Sequence, residues 1–176
     1  LRIGSTTANT LLTKDRINET DDEGSTPLHI AVQEKAPAEV ISGILAFGPK
    51  LSEPDSSGRT PLHIALTAKR FDTAKLLVEA GANPFVFTGA DETAAALALR
   101  MGKDAILALF SGSAISGRDA IGNTALHYAA AQTSIETVQL LLELGASKTA
   151  KNVSGELPID LARRWQREMN EKILRP

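Results

Sequence analysis

An eight-residue phrase recurs along the chain at a near-constant interval, and this constrains the fold more than any other feature. Gly24 to Ala31 reads Gly-Ser-Thr-Pro-Leu-His-Ile-Ala, and Gly58 to Ala65 reads Gly-Arg-Thr-Pro-Leu-His-Ile-Ala. Gly122 to Ala129 reads Gly-Asn-Thr-Ala-Leu-His-Tyr-Ala, with weaker copies at Thr93 to Ala98 and Gly155 to Ala162. Aligning Thr26, Thr60, Thr93, Thr124 and Leu157 gives intervals of 34, 33, 31 and 33 residues. A period of this length means supersecondary units that bury apolar faces against their neighbours.

The residues within a period say what each unit is. Thr26, Thr60 and Thr124 fit a helix N-cap, and Pro27 and Pro61 fit the first helical position, where a missing N–H costs nothing. Leu76 to Ala82 and Leu140 to Ala146 match one another, with a looser copy at Ile44 to Gly48, and Gly81 and Gly145 fit the end of a second helix. Asp55 to Gly58 and Asp119 to Gly122 read as turns, the Asp bonding its own backbone and the Gly taking a positive φ. Each unit is therefore helix, turn, helix, hairpin loop. The 26 Ala and 22 Leu residues suit close helix packing.

With its Thr-Pro-Leu-His and Gly-Ala signatures, the stretch from about residue 21 to 162 resembles the ankyrin repeat family. That resemblance implies an all-α, ankyrin-type helical solenoid of about five helix-turn-helix units with hairpin-loop fingers. The expected units are 21–54, 55–87, 88–118, 119–151 and 152–176, with 1–20 as the tail of a truncated repeat or a cap. Unit three is short and degenerate, with Ala96 where His is expected and Asp91 where Gly is expected, which predicts a shorter or differently bent fingertip. Leu161, Trp165, Met169 and Ile173 recur every four residues with no Gly between them, which predicts one continuous C-terminal helix as a modified cap. The opening at Leu1 rather than Met suggests a larger parent or a trimmed chain.

Repetition also separates packing from chemistry. Ala31, Ala65, Ala98, Ala129 and Ala162 form one column, Leu28, Leu62, Leu126 and Ile159 a second, and Leu76, Leu109 and Leu140 a third, all expected in the core. His29, His63 and His127 share one place in their units. Packed helices lie about 8 to 10 Å apart, whereas zinc takes nitrogen ligands at about 2.0 to 2.1 Å, so these histidines would not converge on a metal. They are expected to be structural, bonding the preceding Thr26, Thr60 or Thr124 and a loop backbone group.

Little else in the chain points to chemistry. Lys plus Arg number 19 against 21 Asp plus Glu, so no global field steers the chain to nucleic acid or to an anionic membrane. No apolar run is longer than Ala94 to Leu99, which is far short of the roughly 20 residues a membrane span needs. Without cysteine there is no thiol nucleophile, disulfide or Cys-type zinc site. No phosphate loop, dinucleotide fingerprint, metalloprotease helix or nucleophile elbow occurs. Catalytic residues, cofactors and metals are thus not expected, the compartment stays unread with the cytoplasm as default, and a monomer is expected.

The resemblance implies protein binding through the hairpin tips and the exposed side of the first helices, and side chains not consumed by stacking are free to serve it. Those places hold Asp22, Glu23, Ser25, Gln33 and Glu34 in unit one, then Ser56, Ser57, Arg59 and Thr67 in unit two. Glu92, Arg100 and Met101 follow, then Ile121, Asn123, Ala131 and Gln132, then Val153, Arg164 and Trp165. Phe85 and Phe87 alternate toward one side of a hairpin arm and, with Ile121, are candidate apolar anchors. The alternative to a partner-binding module is a structural spacer or an intramolecular docking region of a larger protein.

Overall fold

The computed structural model describes residues 16–87, 89 and 92–175. Most of segment 1–20, with Leu11 and Leu12, lies outside the described residues, as does Asp91. Regular structure among the described residues is all helical: ten α-helices and one short 3₁₀ turn at Gly112–Ser116. The chain divides into two compact units, residues 1–83 with 87–91 and residues 84–86 with 92–176.

The first unit holds α1 (Pro27–Gln33), α2 (Ala38–Leu45), α3 (Pro61–Thr67) and α4 (Phe71–Glu79). Two helix pairs pack side by side, α1 against α2 and α3, and α4 against α3 and α2. Leu28, Val32, Ile41, Ile44, Leu62, Leu66, Ala74 and Leu77 fill the space between them. The Arg70 guanidinium donates to the Ala36 carbonyl at 2.7 Å, tying the second pair to the turn that leaves α1.

The second unit holds α5 (Ala94–Met101), α6 (Lys103–Leu109), α7 (Ala125–Gln132), α8 (Ile135–Glu143), α9 (Pro158–Arg164) and α10 (Glu168–Leu174). The inner helices α5, α7 and α9 pack in series, and each touches its own outer helix. In the shortened third repeat Gly102 alone separates α5 from α6, where Ala68, Lys69 and Arg70 separate α3 from α4. Part of the shortening therefore lies at a helix-helix turn, where the sequence reading looks to the fingertip.

Two packing expectations need correction. Leu76 and Leu140 are only half-buried, while Leu77 and Leu141 are fully buried beside the expected Leu109, so the outer-helix column runs one residue later in two units. A Leu-Leu pair offers two candidates, and the helix's rotation on its inner partner chooses between them. Of the alanine column, Ala65, Ala98, Ala129 and Ala162 have no exposed surface, whereas Ala31 is half-buried.

A third correction concerns the C-terminus, which forms a helix pair rather than one helix. Gln166 takes the left-handed conformation at φ 55°, matching Lys35 at 55° and Lys69 at 54°. Each lies nine residues after the N-cap of its inner helix, Leu157, Thr26 and Thr60 respectively. The chain after the break is tied to the end of α7: Arg167 Nε donates to the Ala131 carbonyl at 3.0 Å. Buried Asn170 donates to the Ala130 carbonyl at 3.1 Å and the Thr133 carbonyl at 3.0 Å. A continuous helix would carry Asn170 away from these acceptors and leave α7's last carbonyls without it.

Candidate protein-binding surface

The repeated Thr and His are consumed by the fold. Thr26 stands in extended backbone at φ −77° and ψ 166°, and Pro27 begins α1. His29 sits three residues on, and its Nδ1 accepts the Thr26 N–H at 3.2 Å and lies 2.8 Å from Thr26 Oγ1. Its Nε2 donates to the Arg59 carbonyl at 3.0 Å, in the next finger. His127 repeats this with Thr124 N–H at 3.1 Å and the Glu156 carbonyl at 3.1 Å. Thr60 and His63 make the same local pair, at 3.2 Å and 2.9 Å. In the last repeat Asp160 takes the histidine's place, its Oδ2 accepting the Leu157 N–H at 2.9 Å.

One Nδ1 acceptor and one Nε2 donor define a neutral imidazole. Burial holds the His29 pKa below the ordinary 6.5 against the Arg59 carbonyl bond and the Asp55 charge, and burial with the Arg118 charge holds that of His127 below it against Asp119. Among the described residues no three His, Asp or Glu side chains converge as metal ligands.

The fingers are built by Asx turns. Asp55 Oδ1 accepts the N–H groups of Ser57 and Arg59, both at 2.9 Å, and Asp119 Oδ1 accepts those of Ile121 at 2.9 Å and Asn123 at 2.8 Å. Desolvation works to raise the Asp55 pKa, but these hydrogen bonds together with the Arg59 guanidinium outweigh it and hold the carboxyl below its usual range. Asp119 Oδ2 accepts the Tyr128 hydroxyl, and burial together with that contact pushes the tyrosine up to about 12. Gly122 closes its turn at φ 79°, and a Cβ there would lie 3.1 Å from the Val153 nitrogen in the adjacent finger.

Of the candidate binding residues, Asp22, Glu23, Gln33, Ile121, Gln132 and Trp165 are exposed, and Phe87 is 73% exposed. Arg100 is exposed but paired with Glu92, Arg164 is paired with Glu156, and Met101 is half-buried. Arg59 is held in its own finger by Asp55, at 2.8 Å, so its charge is partly neutralised. Phe85 is only 4% exposed and leaves the anchor set: its ring lies 6.0 Å from that of Phe110 and 6.5 Å from that of Tyr128. Ser25, Asn123 and Ala131 are likewise buried. Arg118 escaped the sequence reading. It precedes the turn Asp at the place where Pro54 and Lys151 stand in other units, and its Nη1 donates to the carbonyls of Gly122 at 2.8 Å and Lys151 at 2.7 Å.

Within each compact unit, helix pairs packed in series and fingers closed by Asx turns define a helical repeat scaffold. The family model of ankyrin repeats, in three copies, matches residues 2–88 and 85–152, and the chain belongs to the ankyrin repeat family. Ankyrin repeats are generally protein–protein interaction modules and typically non-catalytic. The chain is 38% identical over 149 residues to the human B-cell lymphoma 3 protein, covering 79% of this chain and 33% of that one. Its mouse homolog is 37% identical over the same length. The chain thus spans about a third of the length of these curated relatives. Among solved structures it is similar to one chain of a complex between a Bdellovibrio bacteriovorus predatory endopeptidase and an immunity protein. The TM-score is 0.60 at 26% identity, covering 96% of this chain and 90% of that one. An ankyrin repeat protein structure matches with TM-score 0.60 at 25% identity, covering 95% and 86%.

Proposed function

We propose that this chain is a non-catalytic module that binds a protein partner through its fingertips and the exposed ends of its inner helices. The supporting observation is a division of labour within each repeat. Thr, His and the Asx-turn aspartates are buried or internally bonded, while Phe87, Ile121, Gln33, Gln132 and Trp165 are exposed. Binding then rests on complementarity to a preassembled surface, in which a few apolar side chains carry most of the energy. No cofactor, metal or nucleic acid enters this mechanism, and the chain acts as a monomer. The resemblance to a structure holding an endopeptidase and its immunity protein fits a role in recognising proteins.

The test is affinity capture from the native source with wild type and a Phe87→Ala, Ile121→Ala variant. The variant is expected to lose the captured partner while keeping the wild-type melting temperature. Capture at the wild-type level removes these anchors.

A further inference from the structure

One backbone platform recurs in both compact units with different side chains on it. In the first, the Ser56 N–H donates to the Glu23 carbonyl at 2.9 Å; in the second, the Val153 N–H donates to the Ile121 carbonyl at 2.9 Å. The first platform presents exposed Asp22, Glu23, Ser56 and Ser57. The second presents Ile121 at 55% exposure and Val153 at 74%. Single exposed aliphatics are commonplace, but two on hydrogen-bonded neighbouring tips form a patch.

That patch is fixed before any ligand arrives. Asn152 Nδ2 donates to Asn123 Oδ1 at 3.0 Å, and Arg118 bridges the carbonyls of Gly122 and Lys151. A guest therefore orders little of the host on binding. The electrostatics are equally one-sided. Asp119 turns both carboxylate oxygens inward, to backbone N–H groups and to the Tyr128 hydroxyl. Arg100, Arg163, Arg164 and Arg175 each reach a carboxylate. Among the described residues Arg118 donates to carbonyl oxygens and pairs with no carboxylate, and Lys151 meets no carboxylate either. Both cations line a hollow of about 480 Å³ with Ile115, Ser116, Thr124 and Thr149.

We propose that the paired fingertips at Asp119–Gly122 and Asn152–Gly155 dock a peptide segment of a protein partner in which a large apolar side chain stands next to carboxylates. The apolar side chain covers Ile121 and Val153, and the carboxylates meet Lys151 and Arg118, neither of which pairs with a carboxylate among the described residues. This proposal rests on the reading of the chain as a protein-binding module and names the chemistry of one site on it.

The experiment is selection of a displayed random-peptide library on the whole chain, followed by anisotropy titration of the selected peptides. Selected peptides should be enriched in acidic residues beside Leu, Ile, Phe or Trp. Ile121→Ser with Val153→Ser should weaken them by about tenfold or more. Lys151→Glu, at a side chain that no fold contact uses, should weaken them several-fold at low salt and much less at high salt. Leu107→Ala, which removes an exposed aliphatic on α6, should change nothing, and all variants should melt with the wild type. Peptides without acidic enrichment, or peptides indifferent to both fingertip variants, overturn the site. Peptides weakened only by changes at Gln33, Arg100 or Gln132 also overturn it but leave the binding-module reading standing. That wider reading is decided separately by partner capture.

Discussion

Replacing His127 by Ala tests the repeat's central polar device. The imidazole has no exposed surface, and it accepts the Thr124 N–H at one end of the ring while donating to the Glu156 carbonyl at the other. Removing it strands a buried donor and a buried acceptor, each costing about 1 to 3 kcal/mol if no water replaces the bond. Partial collapse and water entry offset some of this, so a net loss of about 2 to 4 kcal/mol is expected. For a chain of 176 residues, 1 kcal/mol shifts the melting point by about 2 to 4 °C, so a fall on the order of 10 °C should appear in a circular-dichroism melt. His127→Asn can keep the near bond to Thr124 but not the far one, and should recover about 1 kcal/mol. A pH series supplies the second readout. Because burial depresses the His29 and His127 pKa values, the unfolded chain binds protons that the folded chain does not as pH falls below 6.5. Wild-type stability is therefore full above 6.5 and is lost below it, by at most about 1.4 kcal/mol per pH unit for each histidine. In His127→Ala that slope is shallower, and the gap to wild type narrows with acidification. An unchanged melting point, or a parallel pH profile, would refute the neutral bridging role.

Four further outcomes follow from the packing. Ala65→Leu should cost about 1 to 3 kcal/mol by overpacking a position with no exposed surface, and a wild-type denaturation midpoint would contradict that. Gln166→Gly should be neutral or stabilise by up to about 1 kcal/mol, since the left-handed conformation strains every residue but glycine; a clear loss in the melt would argue against the turn. Gly117→Ala should destabilise, because its Cβ would lie 3.0 Å from the Phe85 ring and from the Ala114 carbonyl; wild-type stability would mean that the buried ring has room to yield. Trp165, the lone tryptophan at 62% exposure, should be quenched by acrylamide almost as readily folded as unfolded, and strong protection would place it in a contact the structure lacks.

What the sequence discloses is set by what repeats. The Thr-Pro-Leu-His phrase returns with the same neighbours, so its N-cap, histidine bridge and Asx turn are legible without coordinates, and the family signature follows from them. The C-terminal break was also written there, in the nine-residue offset from Leu157 to Gln166. A four-residue apolar spacing competes with that offset, because it describes one long helix as well as two short ones joined by a turn. Phe85 fails for a different reason. The places equivalent to it hold Ser52, Ser116 and Thr149, so no repetition constrains it, and its burial is decided by Phe110 and Tyr128 from other parts of its unit. The same logic bears on the binding surface. A side chain that varies from unit to unit is released from the stack, but whether it becomes a contact depends on what its own neighbours claim. Arg59 is drawn to Asp55 and Arg100 to Glu92, while Lys151, at the place where Pro54 stands in an earlier unit, pairs with no carboxylate among the described residues. Stacking chemistry is therefore read along the repeat, and recognition chemistry is read across it, in the positions where one finger's neighbours differ from the next.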